Sequence, residues 1–159
     1  MAMSKTGLVM LMALFALAPP VLGSEKARYV DSKGCMLSNG GETVPTISFI
    51  VGAYVDESFP KSKIKLLLKD AEIRGCDVNA YDARGHTALH MAVLDGSLDV
   101  VKALLELGAD PSLKIKRPGS VMNGVDVYTY AQMLARDRPS DSRWQVIDAL
   151  ETYKLHKGN

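Results

Sequence analysis

The sequence lacks an excess of charge of either sign. Its 159 residues include 19 Lys and Arg and 18 Asp and Glu, and without Lys5 the two counts are equal. Proteins that bind nucleic acids or anionic membranes generally use a surplus of Lys and Arg to displace counterions. The balanced composition therefore argues against nucleic acid or a membrane surface as the general partner of this protein.

A hydrophobic run long enough to span a membrane is also missing. The apolar run of residues 7–18 is shorter than the roughly 20 residues that a membrane-spanning helix needs. Lys5 before this run, two prolines after it and small residues up to Gly23 are typical of a secretory signal peptide. We expect residues 1–23 to be removed and the mature protein to reach the periplasm or, alternatively, the extracellular space. A retained membrane anchor is the other interpretation.

Cysteine is scarce, and Cys35 and Cys76 form the only available pair. An oxidising compartment allows these two thiols to form a disulfide. Closing a loop of about 40 residues would stabilise the fold by about 4 kcal/mol in the chain-entropy model. We predict that this disulfide fixes the N-terminal segment to the folded body. Two free thiols, one of them buried, are the alternative.

The motifs of common catalytic and cofactor sites are absent from the sequence. Residues 119–121, GSV, lack the G-x-S-x-G frame of a nucleophile elbow, and no glycine-rich phosphate loop is present. His86 and His90 are four residues apart, but no carboxylate or cysteine completes a metal site at a familiar spacing. We therefore predict no catalytic residues, no cofactor and no metal.

What the sequence does contain is a pair of short apolar-periodic runs in residues 85–112, GHTALHMAVLDGSLDVVKALLELGADPS. Thr87 stands where a helix N-cap belongs, and Gly96 ends the first run. The second run ends at Gly108, a residue that readily adopts positive φ. The apolar positions, spaced as on one helix face, are Leu89, Ala92, Val93, Val100, Val101, Leu104 and Leu105. The pattern predicts two short helices joined by a turn.

This helical pair cannot bury its apolar faces alone, so we expect it to recur. The segment GCDVNA at 75–80 parallels GADPSL at 108–113, 33 residues later. The unit resembles the ankyrin repeat, with its segments D-x-x-G-x-T-P-L-H-x-A-A, G-x-L-x-V-V-x-L-L-L and G-A-D. The matching positions are Asp82, Gly85, Thr87, Leu89, His90, Ala92, Gly96, Leu98, Val100, Val101, Leu104, Leu105, Gly108, Ala109 and Asp110. Ala88 replaces the usual proline, which is favourable at that position but not required.

Looser helix pairs flank the complete repeat. Upstream, we predict a helix beginning near Pro45 and a second from Lys61 to about Arg74. Downstream, residues 127–138 and 143–153 supply two more helices. The residues of the last helix expected to face the stack are Trp144, Ile147, Leu150 and Tyr153.

The resemblance implies an all-α fold, an ankyrin-repeat solenoid of about three stacked helix-turn-helix repeats. One repeat is complete, and the two degenerate ones act as caps, since terminal repeats must expose one side to water. We assign residues 1–23 to the signal peptide, 24–42 to an N-terminal extension and 43–159 to the repeat domain.

The resemblance also implies which residues are structural and which bind partners. Thr87 and His90 tie the helix start to neighbouring backbone, while Gly96 and Gly108 end the helices. Ankyrin stacks bind partners through hairpin tips and through the first-helix surface of a concave groove. In the complete repeat these positions are Tyr81, Ala83, Arg84, His86, Leu94 and Asp95. Replacing Tyr81 and Arg84 with alanine is expected to weaken partner capture with little loss of thermal stability. Ordinary surface positions are the alternative for each of these residues.

Residues 114–126, KIKRPGSVMNGVD, are longer than the usual hairpin turn and contain several turn-forming residues. We expect a loop or an extended finger. Insertions in solenoids often project from the binding side, so Lys116 and Arg117 join the predicted partner-binding residues. An inert, mobile loop is the alternative.

These features predict a protein-binding module whose partner is another protein, and a monomer when the partner is absent. The leading hypothesis is a bacterial periplasmic protein that binds and neutralises its partner, as an immunity protein does. A periplasmic stress-related accessory or scaffold protein is the second interpretation. A secreted effector that binds host proteins is the third.

Overall fold

The computed structural model describes residues 27–38 and 41–157. The strands are β1 (Arg28–Tyr29), β2 (Met36–Ser38) and β3 (Thr43–Pro45). A short 3-10 helix spans Lys61–Lys63. The α-helices are α1 (Thr46–Ala53), α2 (Ile64–Ile73), α3 (Ala88–Asp95), α4 (Leu98–Glu106), α5 (Val127–Asp137) and α6 (Asp141–Lys157).

The helices form three antiparallel pairs that stack in two layers. The first helices of the pairs, α1, α3 and α5, pack side by side, and α2, α4 and α6 form the second layer behind them. Their apolar faces meet in one continuous core. The largest fully buried apolar side chains are Ile47, Val51, Leu68, Leu89, Val93, Val100, Val101, Leu104, Ile115, Val127 and Leu150. Each pair therefore buries its apolar faces against its neighbours, as expected for a repeat stack.

The central pair begins and ends where its sequence predicts. Thr87 is the N-cap of α3, and its side chain accepts a hydrogen bond from the backbone N–H of His90. Gly96 ends α3 with φ of +67°, a left-handed conformation that favours glycine. The 33-residue period is visible in the backbone as well, because Gly75 and Gly108 both have positive φ.

The structure corrects the all-α prediction. The strands form an antiparallel sheet in the order β1-β2-β3, with Tyr29 opposite Leu37 and Leu37 opposite Val44. Each strand has only two or three residues, which is too short for an alternating apolar pattern to be recognised. Because β3 continues directly into α1, the sheet joins the predicted extension to the first repeat.

Three contacts fix this sheet to the repeat stack. Cys35 and Cys76 form a disulfide, with Cα atoms 5.0 Å apart. The Thr46 hydroxyl donates to the Gly34 carbonyl at 2.8 Å. The Arg74 guanidinium donates to the same carbonyl at 2.6 Å. The N-terminal segment is thus anchored to both helices of the first pair.

The predicted signal peptide, residues 1–23, lies outside the described residues. Within the described ranges, no helix has the length and apolar character needed to cross a membrane.

One residue of the last helix does not face the stack as predicted. Trp144 is 52% exposed, whereas Val146 and Leu150 are buried. At about 100° per residue, Trp144 lies about 200° around the helix from Val146. It therefore points away from the side that α6 buries.

Candidate functional site

The candidate site is built on the hairpin that precedes α3, residues 81–87. Tyr81 pairs with Thr87 in an isolated antiparallel bridge. The Asp82 carboxylate accepts hydrogen bonds from the backbone N–H groups of Arg84 at 3.0 Å and His86 at 2.7 Å. Gly85 then turns the chain with φ of +78°. These bonds hold the predicted binding residues Ala83 and Arg84 at an exposed tip.

A second ordered projection lies beside this hairpin. Residues 114–126, called the finger from here on, form a hairpin of their own in which Lys114 pairs with Asp126. Ile115 donates its N–H to the Val125 carbonyl at 2.9 Å, and it is 1% exposed. The Asn123 side chain accepts from the Arg117 N–H at 2.9 Å. The finger is therefore a hydrogen-bonded element rooted in the core.

The hairpin and the finger are fastened together. The Lys116 N–H donates to the Gly85 carbonyl at 2.9 Å. The Tyr81 hydroxyl donates to the Lys114 carbonyl at 3.1 Å. Lys116 Nζ lies 3.9 Å from the centre of the Tyr81 ring, in cation–π geometry. A side chain at position 85 would overlap the Lys116 carbonyl, so glycine is needed there for space as well as for φ.

These contacts bear on the expectation that Tyr81 and Arg84 can both be replaced with little loss of thermal stability. Tyr81 makes a hydrogen bond to the finger and carries Lys116 on its ring, which together are worth about 1–2 kcal/mol. Arg84 is exposed, and no ion pair to it is found in the described part of the chain. Replacing Arg84 therefore tests partner binding with little effect on stability, whereas Tyr81 also has a structural role.

Leu94 and Asp95 lie at the far end of α3, about 10 Å from the hairpin at 1.5 Å per residue. Leu94 is 38% exposed. Burial raises the pKa of Asp95 above its usual value, and the nearby Arg143 partly offsets this effect. Arg143 also donates to the Leu94 carbonyl at 2.9 Å, which holds the end of α3 against α6. The predicted binding positions thus form one extended face and not a compact pocket.

Met133 belongs to this face and was missed in the sequence. It is the seventh residue of α5, as Leu94 is the seventh of α3, and both are 38% exposed. Neighbouring packed helices lie about 8–10 Å apart, so the two side chains are adjacent on the first-helix layer. Aligning the two helices at their N-caps, Thr87 and Asp126, would have shown from the sequence that Met133 is equivalent to Leu94.

His90 is architectural in this site. It is fully buried, and its Nδ1 lies 2.8 Å from Thr87 Oγ1 and accepts the Thr87 N–H at 3.3 Å. Burial lowers the pKa of His90 to about 4, an effect that nearby His86 reinforces and the Val125 backbone opposes. The imidazole is therefore neutral at pH 7 and has no access to a ligand. Thr87 and His90 together provide hydrogen-bond partners for backbone N–H groups at the start of α3.

A groove of about 700 Å³ lies on the second helix layer, between α4 and α6. Leu98, Leu105 and Tyr153 line it together with charged residues of both signs. Among the residues that the structure describes, no group of three or more His, Cys, Asp or Glu side chains is arranged to hold a metal ion. This groove is therefore an open surface of mixed character.

A family model described as ankyrin repeats (three copies) matches residues 52–115. Residues 52–115 are similar to ankyrin repeats. The match begins in α1 and ends in the finger, and the third helix pair follows it. Ankyrin repeats are protein-interaction modules and are typically not enzymes, so this part of the chain is a protein-binding module.

Part of the chain is also similar to curated proteins that are named for ankyrin repeats. Notch-regulated ankyrin repeat-containing protein B of Danio rerio is 49% identical over 37 residues, which cover 23% of this chain and 33% of that protein. Protein A of the same organism is 40% identical over 47 residues, covering 30% of this chain and 42% of that protein. The Homo sapiens protein is 50% identical over 34 residues, covering 21% and 30%. The chain spans less than half the length of each of these relatives.

Proposed function

We propose that this chain is an exported, non-enzymatic protein that binds one partner protein and neutralises it, as an immunity protein does. The binding face consists of the 81–87 hairpin, the finger and the exposed side of the first helices. Its anchoring side chains are Arg84, Leu94, Lys116, Arg117 and Met133.

The observation that carries this proposal is the direct attachment of the hairpin to the finger. The Lys116–Gly85 hydrogen bond and the Lys116–Tyr81 contact fix two exposed tips relative to each other before any partner arrives. A binding surface that is already ordered loses less conformational entropy on association. Backbone geometry of this kind suits a protein partner that contacts both tips at once.

Export is supported by the leader-like residues 1–23 and by the Cys35–Cys76 disulfide. Disulfides persist in oxidising compartments and are rare in reducing ones. We therefore propose that the protein acts in the periplasm of a bacterium, with the extracellular space as the alternative.

Neutralisation is favoured over scaffolding by the architecture. The described residues form one stack with one continuous core, and a backbone hydrogen bond from Lys116 to Gly85 joins the finger to the 81–87 hairpin. A scaffold needs two separate faces to bring two proteins together. A single preformed face is suited to covering a functional surface of one partner.

The test is affinity capture from periplasmic extract, followed by an activity assay of the captured partner. The wild-type protein should retain one dominant partner and should inhibit it when added back. The double variant Leu94→Glu/Met133→Glu should lose capture, because it places two charges on the first-helix face. Leu66→Glu/Ile73→Glu is the matched control, since these two residues are exposed on the second layer, at 69% and 74%.

Each outcome separates the interpretations. Inhibition of the captured partner supports neutralisation. A partner whose activity is unchanged or protected would instead indicate an accessory or scaffold role. Capture of proteins from a host extract alone would indicate an effector. Hydrolytic activity of the purified chain that disappears on a point mutation without unfolding would contradict the binding module altogether.

A further inference from the structure

Three cations lie together at the joined tips of the hairpin and the finger. Arg84 precedes Gly85, whose carbonyl accepts the Lys116 N–H at 2.9 Å, and Arg117 follows Lys116. All three side chains are exposed, and their residues are called the basic edge from here on. The protein as a whole has a formal net charge of only +1, so the clustering at this edge is local.

The acidic residues nearest in sequence do not neutralise the basic edge. The Asp82 carboxylate is committed to backbone N–H groups of its own turn. The Asp126 carboxylate caps α5 by accepting the Thr129 N–H at 2.8 Å. Among the described residues, no ion pair involves Arg84, Lys116 or Arg117.

The apolar part of the same projection lies at its tip. Val121 is 91% exposed, more than any other large apolar residue in the described part of the chain. It stands in the turn of the finger, between hydrogen-bonded residues on both sides. The finger therefore presents an apolar side chain close in sequence to two cations, on a backbone that is fixed in advance.

We propose that the basic edge binds an acidic segment of the partner protein, one that carries carboxylate side chains around an apolar residue. This inference rests on the proposed function and adds the chemical class of the partner. Arginine and lysine bind carboxylates through charge-assisted hydrogen bonds, and complementary charge speeds association and selects the partner. Val121 contacts the apolar residue between the carboxylates.

A nucleic acid fits this surface less well. Proteins that bind single strands stack bases on exposed aromatic rings, but the Tyr81 ring is covered by Lys116 Nζ at 3.9 Å. Three cations are also few for a phosphate backbone, whose binding depends on releasing many counterions. An acidic protein segment is therefore the occupant that the geometry favours.

The experiment is a titration of the ¹⁵N-labelled protein with two synthetic 12-residue peptides, followed through its backbone amide signals. One peptide is rich in Glu and Asp around two leucines, and the other replaces every Glu with Gln and every Asp with Asn. The acidic peptide should shift the amides of the basic edge and the finger, and it should bind more weakly at high salt. The neutral peptide should bind at least about tenfold more weakly, because exposed ion pairs contribute up to about 1 kcal/mol each.

Two triple variants make the test specific. Arg84→Gln/Lys116→Gln/Arg117→Gln should weaken binding of the acidic peptide about tenfold. Lys61→Gln/Lys63→Gln/Lys65→Gln removes the same charge from α2 and its preceding turn, and it should bind like the wild type. The match extends to packing, because Lys61 Nζ lies over the Tyr54 ring as Lys116 Nζ lies over Tyr81. If the first triple variant unfolds, the single variant Arg117→Gln replaces it and should bind about threefold more weakly.

Equal binding of the two peptides, equal losses in the two triple variants, or tighter binding of a 12-base-pair DNA duplex would overturn the inference. The inference and the proposed function can fail separately. If the basic-edge variant captures the partner as well as the wild type while Leu94→Glu/Met133→Glu does not, the inference and the anchoring role of the three cations are wrong, whereas binding of the partner through the first-helix face stands. If neither variant changes capture, both are wrong.

Discussion

Acid should destabilise this protein through a single buried histidine. His90 is fully buried, and its pKa is lowered from the usual value of 6.5 to about 4, mainly because burial disfavours the charged form. Protonating it would place a charge in the core beside Thr87 and Tyr130. Above pH 6.5 the imidazole is neutral in the folded and the unfolded chain, so no penalty arises there.

The magnitude follows from the pKa difference between the two states. Because the folded-state pKa is the lower one, the unfolded chain takes up the proton first, and stability falls as the pH drops from 6.5 towards 4. Within that window the free energy of unfolding should decrease by about 1.4 kcal/mol per pH unit. The total loss is about 3 kcal/mol, a large fraction of the stability of a small domain.

The other carboxyl groups with a shifted pKa do not add to this loss of stability between pH 6.5 and 4. Side-chain and backbone hydrogen bonds from Ser58 and Ser112 lower the pKa of Asp56 and Asp110, and the Met36 N–H lowers that of Asp31. Their contributions are therefore lost only below their usual value of 3.8. The raised pKa of Asp95 acts in the opposite direction, since protonation of Asp95 favours the folded state as the pH falls.

The assay is urea unfolding followed by circular dichroism at pH values between 7 and 4.5, with the wild type and His90→Gln compared. The wild type should lose stability across this range, and the variant should start lower and change little. His86→Gln is the control. Its free energy of unfolding should fall with pH at the same slope as that of the wild type, because His86 only reinforces the lowering of the His90 pKa. A wild-type stability that changes by less than about 1 kcal/mol, or a His90 ring signal that titrates near pH 6.5, would contradict this prediction.

Three further predictions concern the architecture of the site. In urea unfolding, Gly85→Ala should lower the free energy of unfolding by at least about 1 kcal/mol more than Gly108→Ala does. Both glycines have positive φ, but of the two only position 85 lacks space for a side chain. Equal losses would show that the close contact with the finger does not destabilise the Gly85→Ala variant. Thr87→Ala should cost about 1–2 kcal/mol through loss of the α3 cap, whereas Thr87→Ser should cost less, and equal losses in the two variants would exclude the hydroxyl as the cause. Cys35→Ser/Cys76→Ser removes a disulfide between positions 41 apart in sequence and should lower stability by about 4 kcal/mol. Two alkylatable thiols in the non-reduced wild type, measured by mass spectrometry, would contradict the disulfide.

The central repeat could be predicted because its signals are local. The cap at Thr87, the glycine that ends α3 and the apolar spacing of both helices depend on residues three or four positions apart. The ankyrin resemblance added the tie between Thr87 and His90, which the structure shows at 2.8 Å. The prediction of ankyrin repeats is confirmed over residues 52–115.

Much of the candidate site depended on contacts that local patterns do not reveal. The sequence predicted Tyr81 and Lys116 as partner-binding residues, yet their side chains pack on each other where the hairpin meets the finger. Met133 was missed because its repeat lacks the complete motif. Trp144 was expected to pack on the stack, but the buried side of α6 is set by Val146 and Leu150.

Local sequence signals set where the helices of the central repeat begin and end and which faces they bury, because caps and helical periodicity act within one turn of a helix. The attachment of the N-terminal sheet and of the finger depends instead on the tertiary structure. Those attachments join residues far apart, such as Arg74 with Gly34 over 40 positions and Tyr81 with Lys114 over 33. Such pairs depend on the stacking of the helix pairs, because stacking brings distant backbone groups within hydrogen-bonding distance.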